Sequence, residues 1–221
     1  MQIYLDLDGP VLDVSHRYYL IYSDLLKQAD YLPFDHDSYW SLKRLSITEA
    51  AIVQRNMPEC GVSDYLARRA QLLEDSTYLV YDLLQPGILD TLKLWSKQHR
   101  LYLVTLRRNR MALMSQLKLL GINGVFEEVF CAQDADQGWE TKCEWIRSNC
   151  VTSSEAVIVG DTEVDVLAGH AAGIQTVSVT CGIRSRRFLE QLSPHLLLSN
   201  IAGLCPEDLF PPVDTIPASV A

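Results

Sequence analysis

The order of the segments restricts this chain more than any single motif does. A β-rich run at residues 2–7, Gln-Ile-Tyr-Leu-Asp-Leu, opens the sequence and is broken by Asp8-Gly9-Pro10. The next stretch, as far as Asp82, changes character. Leu20, Ile21, Leu25 and Leu26 recur at helical spacing behind an N-cap candidate at Ser15. Further helical stretches are predicted over 35–44 and 63–84, punctuated by Pro33, Pro58 and Gly61, with no convincing strand among them. After Gln85-Pro86-Gly87, helices and strands alternate. Helices are predicted over 89–98, 110–120, 141–149 and 164–172, and strands over 101–105, 128–131, 156–159 and 174–179. Short helices over 185–191 and 201–204, a weak strand over 196–198 and an irregular tail from Pro206 complete the chain. Alternation of this kind implies an α/β fold, a Rossmann-like parallel sheet with helices on both faces. The helical block interrupts it directly after the first strand. It is therefore read as an inserted all-helical domain over 15–84, with 1–14 and 85–221 forming the core.

Composition narrows the partners. The 221 residues are 48% hydrophobic and 21% charged, which suits a folded chain with a large core. Nineteen Lys and Arg stand against 28 Asp and Glu, a formal charge of −9. That balance excludes a global basic face, so neither nucleic acid nor an anionic membrane surface is expected as a partner. No apolar run reaches the ~18 residues of a membrane span. Asp6 and Asp8 interrupt the N-terminal apolar stretch, so no signal peptide is read there. The six cysteines form no C-x-x-C pair, which argues against a disulfide framework and against zinc. Reduced thiols and a cytoplasmic location are the expectation.

In open α/β sheets, ligands bind outside the carboxyl ends of the strands. The polar residues at those ends are Asp6 and Asp8 after the first strand, Thr105 after the second, and Asp161 after the fourth. Asp165 follows one helical turn on, and Lys142 opens the helix before the fourth strand. Carboxylates gathered at one edge raise one another's pKa unless a cation joins them. Magnesium takes such oxygen ligands, commonly together with a phosphate. Magnesium and Lys142 would also offset the repulsion between a carboxylate nucleophile and a phosphate dianion.

The ordered set Asp6-x-Asp8-Gly9, Thr105, Lys142 and Gly160-Asp161-x-x-x-Asp165 resembles the haloacid dehalogenase-like hydrolase superfamily. The helical insert looks like the cap of its phosphoglycolate phosphatase-like subfamily. The resemblance spans residue 3 to about residue 204. It implies that Asp6 is a nucleophile forming an aspartyl-phosphate, and that Asp8 is the acid and then the base. It implies that Thr105 and Lys142 hold phosphoryl oxygens. It also implies magnesium on Asp6, Asp161 and the backbone carbonyl of Asp8, with Asp165 as outer partner or orienting group. The dehalogenases of the family lack the second Asp, so Asp8 favours phosphoryl transfer. Two departures stand out. Pro10 replaces the usual Thr, and Lys142 lies in Glu140-Thr141-Lys142-Cys143 rather than Lys-Pro-x-Pro. The plain alternatives are an exposed helix lysine for Lys142 and a helix-surface carboxylate for Asp165.

Substrate-binding candidates are Gly9 of the first loop, Arg107 two residues past Thr105, Arg17, and Lys43 and Arg44 in the insert. Lys43 and Arg44 occupy a region where some sugar-phosphate mutases of the family carry an Arg. Arg184, Arg186 and Arg187 are read as a surface cluster, and the aromatic residues of the insert as its core. The leading expectation is a magnesium-dependent phosphomonoester hydrolase acting on a small phosphorylated metabolite, as a monomer or homodimer. A sugar phosphomutase and a non-catalytic binding protein on the same fold are the alternatives.

Overall fold

Residues 1–132 and 138–210 are described in the computed structural model. The strands are β1 Gln2–Leu5, β2 Leu12–Asp13, β3 Leu83–Leu84, β4 Arg100–Thr105, β5 Glu128–Cys131, β6 Ala156–Gly160, β7 Gln175–Val179 and β8 Leu196–Leu198. Six of them form one parallel sheet in the order β5-β4-β1-β6-β7-β8. β1 pairs with β4 on one side and β6 on the other, with Leu5 opposite both Leu103 and Val159. Chain order reverses there, so the carboxyl ends of β1 and β6 lie side by side at the switch point of the sheet.

The central strands read as apolar runs because both faces are covered. Ile3, Leu5, Leu103, Val157 and Val159 turn to one face. They meet Ile88, Leu92 and Trp95 of α6 (Ile88–Trp95) and Leu113 and Leu117 of α7 (Arg110–Leu119). Tyr4, Tyr102, Val104 and Ile158 turn to the other. They meet Cys143 and Ile146 of α8 (Trp139–Asn149) and Ala168 of α9 (Glu163–Ala172). This is the two-residue alternation of an extended chain.

Between β2 and β3 lie α1 Ser15–Gln28, α2 His36–Arg44, α3 Glu49–Val53, α4 Glu59–Leu72 and α5 Ser76–Leu79. They bury Ile21, Tyr22, Leu25, Leu26, Tyr39, Ile52, Val53, Val62 and Tyr65 in a core of their own. The helix expected over 63–84 is divided. It starts at Glu59, stops at Leu72, and restarts at Ser76, where Asp75 accepts a hydrogen bond from the Thr77 N–H. α3 was hidden by its five-residue length and is capped by Thr48. The two connections to the core pair with each other, Leu12 opposite Leu84 and Asp13 opposite Leu83. Two-residue strands leave no periodicity to read, so they escape a sequence pattern. α10 (Arg186–Glu190) and β8 form as expected. The helix expected over 201–204 is a turn, and a 3-10 turn forms at Pro206–Leu209 instead, with Pro206 at its start. The rest of the proline-rich tail lies outside the described residues. Among the described residues, no helix is long and apolar enough to cross a membrane.

One charged cluster holds the helical block together. The buried carboxylate of Glu49 accepts hydrogen bonds from Tyr39 Oη at 3.1 Å, Tyr65 Oη at 2.8 Å and Lys43 Nζ at 3.0 Å. Arg69 Nε lies 3.3 Å away. Burial alone would raise the pKa of Glu49, but Arg69 and Lys43 outweigh it and hold the carboxyl down. Removing one member of such a buried set strands the others. Glu49→Ala is expected to cost roughly 3–5 kcal/mol of unfolding free energy, measured by urea denaturation. A loss below about 1 kcal/mol, the level of exposed pairs, would show that the cluster does not hold the block together.

Candidate active site

The site begins where β1 ends. The Asp6 N–H still donates to Val159 O at 2.9 Å, so Asp6 is pinned to the sheet while its side chain leaves it. The chain then turns tightly. Val11 N and Leu12 N both donate to Leu7 O, and Gly9 N donates to Leu12 O. Pro10 sits inside this turn, whose bonds come from its neighbours, so its missing N–H leaves the loop closed. Gly9 has φ +120°, and a Cβ there would lie 2.2–2.5 Å from the carboxylate atoms of Asp161. The loop therefore needs glycine both for its conformation and for its approach to Asp161.

Asp6, Asp161 and Asp165 form one group whose carboxylate oxygens lie within 4.8 Å of one another. Lys142, from the first turn of α8, is buried and donates to Asp6 Oδ1 at 2.8 Å and Asp165 Oδ1 at 2.7 Å. The plain reading of Lys142 as an exposed helix lysine is thereby excluded. Asp165 is buried as well, which excludes a surface carboxylate. Its Oδ2 accepts from Thr162 N and Thr162 Oγ1 at 3.2 and 2.9 Å, closing a capping box on α9. Asp161 is fully buried directly after β6. Its Oδ2 accepts from Ile183 N at 2.5 Å, while its buried Oδ1 finds no hydrogen-bond partner among the described residues.

The electrostatics follow from this crowding. Burial is the largest influence on Asp6 and raises its pKa. Lys142 opposes the rise and Asp165 adds to it, and the result is about 7. Burial, then the charges of Asp6 and Asp165, push Asp161 well above the usual carboxylate range. Burial works against the charge of Lys142, but Asp165 and Asp6 outweigh it and keep the ammonium protonated. Three carboxylates against one ammonium, with one buried oxygen unpartnered, is a donor set that suits a hard divalent cation. Asp8 lies outside this oxygen cluster, so any contribution from it to a cation would come through its backbone carbonyl.

The Asp8 side chain turns the other way. Its Oδ2 accepts from Arg17 Nη2 at 2.7 Å, and its Oδ1 from Arg107 Nη2 at 2.5 Å and Arg107 Nε at 3.2 Å. Burial opposes its ionisation, yet Arg107 and Arg17 outweigh burial and hold its pKa down to about 2. Thr105 is buried at the end of β4, where its Oγ1 accepts from Arg107 N at 3.3 Å. Asp6, Asp8, Arg17, Thr105, Arg107 and Lys142 line a cavity of about 260 Å³.

Lys43 and Arg44 are put to other uses. Lys43 belongs to the Glu49 cluster. Arg44 donates to Gly182 O at 2.6 Å and Thr180 O at 2.8 Å, tying the helical block to the core. Neither lines the cavity. Arg184 does not belong to a surface cluster. It binds both oxygens of Glu163 at 2.8 and 2.7 Å and donates to Lys43 O at 3.2 Å. His16 is exposed and packs near His36 and Tyr81, outside the cavity lining. Three contributors went unnoticed in the sequence. Gln116 carries a readable signal, since it shares the inward face of α7 with Leu113 and Leu117. Asp82 and Glu74 lie at element ends and carry none.

The geometry agrees with what the chain is similar to. A family model described as haloacid dehalogenase-like hydrolase matches residues 3–179. A phosphoglycolate phosphatase of Colwellia psychrerythraea is 27% identical over 213 residues, covering 86% of this chain and 88% of that protein. The pyrophosphatase PpaX of Bacillus cereus is 23% identical over 219 residues, covering 92% and 94%. A haloacid dehalogenase-like hydrolase of Streptococcus pneumoniae superposes with a TM-score of 0.74 at 19% identity, covering 90% and 93%. With its family model covering most of the sequence, the switch-point aspartates and their lysine in place, the chain belongs to the haloacid dehalogenase-like hydrolase family.

Proposed function

We propose that this protein is a magnesium-dependent phosphatase that hydrolyses a small phosphorylated metabolite through an aspartyl-phosphate at Asp6. One observation carries the reading. Lys142 holds Asp6 in the lining of a small cavity, within 4.8 Å of Asp161, whose Oδ1 has no hydrogen-bond partner among the described residues. Relatives named phosphoglycolate phosphatase and pyrophosphatase support the same class of chemistry.

The residues divide the work. A carboxylate oxygen of Asp6 attacks phosphorus, and the bond to the leaving oxygen breaks. Lys142 favours the ionised form of Asp6 and aims it, and Thr105 offers its hydroxyl to a phosphoryl oxygen. Asp8, once protonated, gives its proton to the leaving oxygen. As a carboxylate it then takes a proton from the water that attacks the phospho-Asp6, releasing phosphate and restoring Asp6. Asp6, Asp161 and the Asp8 carbonyl would hold magnesium, with Asp165 behind them through Lys142. When bound, magnesium neutralises charge on the nucleophile and the phosphoryl group. Asp165 acts as an orienting group, since its oxygens are taken by Lys142 and Thr162.

The helical block serves as a cap. Arg17 and Tyr18 of α1 enter the cavity lining, and Glu74 accepts from Arg108 N and Asn109 N at 2.7 Å each. Closure of this kind excludes water from the reacting centre. Arg44, whose position prompted the mutase alternative, is engaged with the Gly182 and Thr180 carbonyls rather than with the cavity. This favours hydrolysis.

Phosphate release from a panel of small phosphomonoesters in magnesium tests the activity. Asp6→Asn is expected to lower kcat by more than ~10³-fold, as loss of a nucleophile does elsewhere. A variant as active as the parent would remove Asp6 from the chemistry. Excess chelator is expected to abolish turnover and added magnesium to restore it. Asp161→Asn is expected to raise the magnesium concentration for half-maximal rate beyond the ~10–100-fold typical of losing an outer partner. Undiminished turnover in chelator would sink the metal assignment.

A further inference from the structure

Arg17 and Arg107 bring two guanidinium groups to one wall of the cavity, at 1% and 5% exposure. Each is braced from behind. Arg17 Nε donates to Asp82 Oδ1 at 2.8 Å, and its Nη1 to Leu73 O at 2.5 Å. Arg107 Nη1 donates to Gln116 Oε1 at 2.5 Å, and its Nη2 to Asp82 Oδ2 at 3.0 Å. Gln116 Nε2 completes the frame, donating to Asp82 Oδ2 and Leu79 O at 2.9 Å each. Asp82 is fully buried and faces both arginines. It supplies one negative charge against two positive ones. The second is supplied from the cavity side by Asp8, which gives both its oxygens to the pair.

This arrangement conflicts with the work assigned to Asp8. A carboxylate bound on both oxygens by guanidinium N–H groups is not turned toward a leaving oxygen. Moving it away would leave an uncompensated buried cation, a costly state. Only another anion can take its place without that cost, and guanidinium pairs are well shaped for carboxylate or phosphate oxygens. The seat shares one cavity of about 260 Å³ with Asp6 and Thr105, so a second anionic group seated there lies close to the phosphoryl group at Asp6.

We propose that Arg17 and Arg107, held in place by Asp82 and Gln116, form a seat for a second anionic group on the leaving part of the substrate. Asp8 fills this seat until that group displaces it. The inference rests on the phosphatase reading and deepens it. The substrate is a small phosphate ester or anhydride whose leaving group carries a carboxylate or a phosphate near the bridging oxygen. Arrival of that second group frees Asp8 to meet the leaving oxygen, so binding of the right substrate completes the acid–base machinery. A neutral leaving group leaves Asp8 on the arginines. Arg17 and Arg107 thus set specificity, and Asp82 and Gln116 are positioning residues.

The test compares kcat/KM of the full-length protein in magnesium for three probes. These are 2-phosphoglycolate with a carboxylate, inorganic pyrophosphate with a phosphate, and 2-hydroxyethyl phosphate with a neutral leaving group. At least one charged probe is expected to exceed the neutral one by roughly 100-fold, and the faster of the two names the preferred group. In Arg107→Gln this ratio is expected to fall about tenfold or more, with Arg107→Lys recovering part of it. Asp82→Asn is expected to lower the ratio too, chiefly through a higher KM for the charged probe. A merely structural role would lower all three rates together. A wild-type ratio near one overturns the proposal while leaving the phosphatase reading intact, and it requires no variant to fold. No release from any probe overturns both.

Discussion

The buried ammonium of Lys142 lies between Asp6 and Asp165, and much of the architecture answers to that placement. Three carboxylates approach one another only because the backbones around them can come close. Gly9 and Gly182 press against Asp161 where any Cβ would collide. The sheet brings the carriers together, since β1 and β6 are neighbours at the point where chain order reverses. α9 contributes by capping itself with Asp165, which fixes that carboxylate against Lys142. One residue therefore serves helix initiation and site electrostatics at once.

A second charge system, on the other side of Asp8, connects the helical block to the sheet. Arg17 comes from α1, Asp82 from the segment before β3, Arg107 from the loop after β4 and Gln116 from α7. None of these groups is satisfied within its own element. The block also reaches the core through Arg44 and through Glu74 at the start of α7. Its own cohesion comes from aromatic and aliphatic packing around Glu49, so it can meet the core as a unit while lending only a few side chains to the cavity.

Much of the fold was legible because its signals are local. β5 and β8 match their predicted spans, and α7 and β7 differ from theirs by a single residue. α7 ends at a clear stop in Gly121 and β7 is rich in β-branched residues, whereas β5 and β8 are short and carry weaker signals. The failures share a physical cause. α3, β2 and β3 are too short to display a period, and α4 ends at Leu72 although nothing in the apolar pattern marks the break. Burial of Lys142 and Asp165 was equally invisible, because a charged side chain reads as exposed until its partners are known.

The sequence by itself determined the α/β class, the helical insertion and the set of groups at the strand ends. Those follow from periodicity, turn residues and the chain order of Asp6, Asp8, Thr105, Lys142 and Asp161. Only the tertiary structure decided which cations face the cavity. Arg17 and Arg107 do, whereas Lys43 and Arg44 hold the block and its junction. Arg17, Lys43 and Arg44 look alike in a linear reading, since each is a basic residue in a helix, whereas Arg107 already stands out two residues past Thr105. What separates them is the identity of the acceptor each one finds, and most of those acceptors lie far along the chain. Arg17 finds Asp82, Arg107 finds Asp8, and Arg44 finds Gly182. A buried cation must be paired where the fold puts it, so its role is settled by the partner that packing supplies.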